Sequence, residues 1–237
     1  MNKIILLFII NFVLSLSGIA QNLQIHYDGT KGSNSETKRG YITTTFEMFK
    51  PDSLGSTFCF MDIDFNGPRN EPSLAYFEIS RNIAFKAIPF EFHFEYNGGL
   101  LFNNKNSNFG LNFPHVAIVG ISKNIFIGKS MVSTYIGYRY DDSSIKHNDV
   151  QWTIIYTVPI KNNKITITGF IDFWTHDKPN TNSSTPEKQI VFMMEPQIWY
   201  NLSPKFAVGS EIEVSKNFLP VSNNFEFFPT VALKYTF

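Results

Sequence analysis

The sequence predicts an all-β fold: a closed antiparallel transmembrane β-barrel of about 12 strands, with both termini periplasmic. Three observations carry that prediction. Apolar residues recur at every second position, the connections between these runs are long and short by turns, and the last run stops on an aromatic residue, Phe237. A period of two is the signature of a strand with one apolar and one polar face.

Composition agrees. The 237 residues include 25 Phe and 10 Tyr, side chains that favour strands. Twenty basic and twenty acidic residues give a formal net charge of zero, which argues against a nucleic-acid partner. The single cysteine, Cys59, excludes a disulfide framework and a Cys-cluster metal site. Charged residues make up only 17%, yet a mean hydropathy of −0.10 does not fit a helical membrane protein. No cofactor motif is present.

Residues 1–20 read as a secretory signal peptide. Lys3 supplies the positive start, Ile4 to Leu14 the apolar run, and Gly18 and Ala20 the small residues before cleavage ahead of Gln21. The rival reading, a membrane anchor, has too short an apolar stretch for the roughly 20 residues a helical span needs. Residues 21–237 then form one outer-membrane barrel domain.

Turn signals divide this domain into twelve runs: 22–27, 39–50, 54–65, 73–83, 87–99, 109–121, 125–140, 149–160, 164–176, 187–201, 205–216 and 224–237. In the third, Thr57, Cys59, Met61 and Ile63 oppose Phe58, Phe60, Asp62 and Asp64. In the fifth, Phe92, Phe94 and Tyr96 oppose Glu91, His93, Glu95 and Asn97. In the eighth, Trp152, Ile154 and Tyr156 oppose Gln151 and Thr153. In the tenth, Ile190, Phe192, Met194, Ile198 and Tyr200 oppose Glu195 and Gln197. In the eleventh, Phe206, Val208, Ile212 and Val214 oppose Glu211, Glu213 and Ser215.

Many runs reach the roughly 9–11 residues of a tilted membrane strand. Pro51-Asp52-Ser53, Ala84-Phe85-Lys86, Ser122-Lys123-Asn124, Lys161-Asn162-Asn163 and Leu202-Ser203-Pro204 are the expected short turns. They alternate with longer connections such as Asp28–Lys38, Leu100–Asn108 and Asp177–Pro186. Short periplasmic turns and longer external loops are the pattern of outer-membrane barrels. In the last run Phe227, Val231, Leu233, Tyr235 and Phe237 share a face. Val231, Leu233, Tyr235 and Phe237 resemble the signal by which barrel-assembly machinery recognises a terminal strand.

Charge tests this arrangement, because Lys or Arg facing lipid at mid-bilayer costs about 2–4 kcal/mol. Lys50 and Arg81 share apolar faces but stand at strand ends, where long side chains snorkel. His115 breaks parity beside Pro114, and the faces of 109–121 stay unassigned. The inner faces collect Glu47, Asp62, Asp64, Glu78, Glu91, Glu95, Asp172, Glu195, Glu211 and Glu213 against Lys129, Arg139 and Lys234. Phe58, Phe60, Tyr76, His93, Tyr135 and Trp174 add rings to the same lining.

Phe46-Glu47-Met48-Phe49-Lys50, the run Phe58–Phe65 with its paired Asp, Phe77-Glu78-Ile79 and Gly169-Phe170-Ile171-Asp172-Phe173 resemble strands of the Tsx-type nucleoside channels, or of uncharacterised outer-membrane barrels near that family. The resemblance implies a twelve-stranded barrel whose narrow channel passes nucleosides along aromatic and ionisable side chains. It places Glu47, Asp62, Glu78 and Asp172 in the lumen.

The expected function is therefore non-enzymatic: a narrow diffusion channel in the outer membrane for small polar solutes such as nucleosides, favouring cations, surrounded by lipid and working as a monomer. One alternative is a closed structural barrel. Another is a lipid hydrolase using His93 with Ser80, although no serine motif supports it. Glu91, His93 and Glu95 are spaced too widely along one strand to chelate one metal ion unaided.

Overall fold

A computed structural model describes residues 20–30, 39–102, 110–178, 186–218 and 224–237. Residues 1–19 of the expected leader, and parts of four long loops, lie outside the described residues. Fourteen strand segments are present. They are β1 (Ala20–Asp28), β2 (Ile42–Asp52), β3 (Gly55–Asp64), β4 (Leu74–Ala84), β5 (Glu91–Phe102), β6 (Gly110–Asn112) and β7 (Val116–Ile127). There follow β8 (Ser130–Asp141), β9 (Asp149–Ile160), β10 (Ile165–Asp177), β11 (Lys188–Met194), β12 (Gln197–Asn201), β13 (Phe206–Lys216) and β14 (Phe225–Thr236). No described helix is long and apolar enough to cross a membrane.

Each long strand pairs antiparallel with its neighbours in sequence. β14 returns to β1 through Asn22↔Thr236 to Asp28↔Thr230, so the sheet closes on itself. β11 and β12 form one line in the wall. Their register against β10 (Ile171↔Met194, Thr168↔Gln197) and β13 (Met194↔Val214, Gln197↔Glu211) runs unchanged across Glu195-Pro196. Pro196 has no N–H, which interrupts the ladder there. β6 is a short extension beside β5, leaving a closed antiparallel barrel of twelve strands. Closure removes the sheet edges that would otherwise be left unpaired.

The connections alternate. Short ones span 53–54, 85–90, 128–129, 161–164 and 202–205, and longer ones lie at the other end. Lys161, Asn162 and Asn163 take left-handed φ of 49°, 57° and 66° to close their turn. The described chain begins and ends at the short-turn end, where Phe237 N donates to Gln21 O at 3.1 Å.

The largest boundary difference from the sequence reading lies at the sixth wall strand; smaller ones leave 87–90 in the turn and put 100–102 in β5 and Pro51-Asp52 in β2. The predicted strand 109–121 is split by Phe113–His115, and the wall strand runs to Ile127. Ser122-Lys123-Asn124 is therefore wall, not turn. Ser122 and Asn124 face inward, which explains their polarity, and the reversal falls at Gly128, whose φ of 61° suits glycine. Lys129 consequently stands exposed in the turn and is not an inner-face base.

Outward side chains are mostly apolar and many are exposed, with Val231 at 65% and Leu233 at 59%. Inward, Trp199 and Phe228 are fully buried. Cys59 points outward as a small apolar group. The inside-out burial, with apolar residues outside and polar ones inside, is that of a lipid-embedded barrel.

Candidate functional site

The register sends every second side chain into the interior. From β2 this brings Glu47; from β3, Phe58, Phe60, Asp62 and Asp64; from β4, Tyr76 and Glu78; from β5, Glu91, His93 and Glu95. From β8 come Tyr135 and Arg139, from β10 Asp172 and Trp174, from the β11–β12 junction Glu195, and from β13 Glu211 and Glu213.

Two groups form. The first joins β4, β5, β8 and β9. Tyr76 donates to Glu78 Oε1 at 2.6 Å, and Asn97 donates to Glu95 Oε1 at 3.0 Å. The His93 ring meets Asn82 Oδ1 at 2.7 Å and Glu95 Oε2 at 3.1 Å, and stacks on Tyr135 with centroids 3.8 Å apart. Arg139 donates to Gln151 and Asp141 at 2.9 and 3.0 Å and sits 5.3 Å from the Trp174 ring centre.

The second group joins β1, β2, β3, β12, β13 and β14. Asn22 donates to Glu47 at 2.8 Å, Thr45 to Asp62 at 2.5 Å, Thr43 to Asp64 at 2.6 Å and Gln197 to Glu211 at 2.5 Å. His26 lies 3.7 Å from Glu211. Lys234 Nζ sits 3.9 Å from the centre of the Trp199 ring. Glu91 stands apart, near the short turns, and takes 3.3 Å bonds from Asn124.

Arg39 is the interior base that sequence reasoning missed, because run 39–50 treated it as ordinary strand. It precedes β2 and donates to Glu213 through both terminal nitrogens at 2.7 and 3.0 Å, with its guanidinium 3.7 Å from the Phe228 ring centre. Such bidentate pairing is strong and directional. Burial alone would weaken the Arg39 charge, but Glu213 outweighs it and raises the pKa. Beside it, burial and then the Asp64 charge raise the Tyr41 pKa.

Trp199, His26 and Phe113 were also missed. Trp199 shares parity with Glu195, Gln197 and Asn201, a signal that pointed inward.

At the loop end, Lys188 bridges Asp149 at 2.9 Å and Asp177 at 2.7 Å. Nearby, Ser144 Oγ lies 3.2 Å from His176 Nδ1, but that same nitrogen faces Asp141 at 3.8 Å, and Ser144 donates to Asp149 instead. A catalytic triad needs the acid and the nucleophile on different ring nitrogens. His93 is hydrogen-bonded to Asn82 and Glu95, not to Ser80. Among the described residues no three acidic, His or Cys side chains are arranged to hold a metal ion.

The interior can therefore offer hydrogen-bond acceptors, negative charge and ring faces to a solute. Acids outnumber the inward bases Arg39, Arg139 and Lys234.

The barrel is similar to the NanC porin, with a TM-score of 0.52 and 13% identity over 91% of this chain and 99% of that one. Looser likenesses are a loop-deleted OmpT, an outer-membrane protein of Vibrio cholerae (TM-score 0.41, 6% identity, 92% of this chain and 98% of that), and Omp33 of Acinetobacter baumannii (TM-score 0.40, 10% identity, 92% and 97%). At these identities the likeness is one of fold, shared with outer-membrane barrels. No curated protein matches the chain in sequence. Residues 20–237 match the family described as a domain of unknown function, DUF5020, and the chain belongs to that family.

Proposed function

We propose that the chain crosses the outer membrane as a narrow diffusion channel for small polar solutes, favouring cations, with its termini periplasmic. The observation that carries this reading is the inner lining: carboxylates from β2, β3, β4, β10 and β13 stand among aromatic rings, and among the described residues only Arg39, Arg139 and Lys234 offset them there. Rings of acid side chains select cations in water-filled pores. Twelve strands enclose more than the eight that side chains can simply fill, and less than a 16-stranded porin.

Nucleosides are the first solutes to test. Rings can stack a base, and carboxylates accept from ribose hydroxyls and base N–H groups. The strand resemblance to Tsx-type channels points the same way. In this reading lipid contacts the outer belt, the protein acts as a monomer, and Val231, Leu233, Tyr235 and Phe237 of β14 present the terminal strand to the assembly machinery.

A second reading, a barrel closed by its own side chains, is favoured by the Arg39–Glu213 clasp, which places a guanidinium inside the ring over β1 and β14. Uptake into proteoliposomes distinguishes the two. Labelled adenosine and uridine should enter faster than a neutral sugar of similar size. Equal entry removes the nucleoside preference, and no entry of any solute supports the closed barrel.

A further inference from the structure

The wall is not uniform around the ring. Along β1, β5, β7, β8 and β14, inward side chains are mostly buried and outward ones exposed; along β2, β3, β4, β10 and β11, most residues of both faces are half-buried. β2 to β4 and β10 to β11 are separated by β5 to β9 on one side and by β13 to β1 on the other, so they stand opposite each other in the ring. Inner side chains of these two opposed stretches are therefore more accessible than those elsewhere in the ring.

The β2–β4 side carries a continuous aromatic track. Ring centroids are 6.0 Å apart for Phe58–Phe60, 5.9 Å for Phe60–Tyr76 and 6.2 Å for Tyr76–Phe113. The track climbs from the short-turn end toward the loop end. Acids flank it: Glu47 and Glu78 are paired with Phe60, and Asp62 with Tyr76. Asn97, only 4% exposed and paired with Glu78, gives its amide to Glu95 and leaves Oδ1 without a hydrogen-bond partner. Buried acceptors left in this state are rare and call for a donor.

We propose that the β2–β4 side of the lining is a subsite for planar organic cations, the ring lying along the Phe58–Phe60–Tyr76–Phe113 track and the charged N–H group meeting Glu78 and Asn97 Oδ1. The proposal rests on the channel reading and narrows its solute class. Flat rings gain from offset or edge contacts with aromatic side chains, and a cation gains further from their faces. A flexible ammonium lacks the first contribution and a neutral ring the second.

Three probes separate these contributions. Tryptamine is flat and charged, tryptophol is its neutral counterpart, and 2-cyclohexylethylamine keeps the charge without a flat ring. Each is added to the full-length protein in planar bilayers and, separately, to detergent-folded protein in equilibrium dialysis. Tryptamine should interrupt the current, and bind, at concentrations roughly tenfold below either control. Phe60→Leu should erase its advantage over 2-cyclohexylethylamine, with Phe58→Leu as the second ring variant if the first does not assemble. Glu78→Gln should erase its advantage over tryptophol. Equal potency of the three probes overturns the subsite while leaving the channel. Selective tryptamine binding by a protein that passes no current keeps the subsite and overturns the channel.

Discussion

Arg39 holds Glu213 with both terminal guanidinium nitrogens, joining the entry of β2 to β13 over the intervening β1 and β14. It also covers the buried Phe228 ring. This one contact removes an acid from the lining and places a cation in the passage. Arg39→Ala should therefore enlarge single-channel conductance and strengthen the preference for cations. Loss of the charge-assisted bonds should lower stability by about 1–3 kcal/mol, read from thermal unfolding in detergent. Unchanged conductance would place Arg39 outside the constriction.

Gly169 and Pro196 meet where the ladder between β10 and the β11–β12 line is interrupted. Gly169 has φ of 150°, and a Cβ there would stand 2.3 Å from the Glu195 carbonyl oxygen. Gly169→Ala should destabilise the barrel by more than about 1 kcal/mol, because both the backbone conformation and the space favour glycine. The check is the temperature at which the folded form disappears from a gel.

Asp62 and Asp64 accept hydrogen bonds from Thr45 and Thr43. Asparagine keeps an oxygen for these bonds and drops the charge. The double variant Asp62→Asn with Asp64→Asn should reduce cation preference while costing less than about 1 kcal/mol of stability. Unaltered ion selectivity would show that these two acids do not border the ion path.

Closure of β14 onto β1 makes a compact folded form that mild detergent should not open. Unheated and boiled samples should migrate differently on a gel. Identical migration at every temperature would count against the closed ring.

The period of two made all twelve wall strands legible. It also made most faces legible, since an apolar-out, polar-in wall alternates more plainly than a strand buried on both sides. Pro114 and His115 hid the faces of the sixth wall strand because the chain leaves the ladder there and re-enters at Val116. Polar Ser122 and Asn124 imitated a turn because they line the interior. Arg39 was invisible for a different reason: its role comes from a contact with Glu213, 174 positions away, and no local pattern reports such a partner. The aromatic track hid Phe113 in the same way, since its neighbour Tyr76 comes from another hairpin.

This acidic lining should conduct ions and prefer cations. The most direct measurement is the reversal potential of single channels formed by the purified, folded protein in a planar bilayer under a potassium chloride gradient. A potential of the sign set by potassium, reduced in the Asp62→Asn, Asp64→Asn protein, is the predicted result. A stable barrel that passes no current, or one whose potential follows chloride, would contradict it.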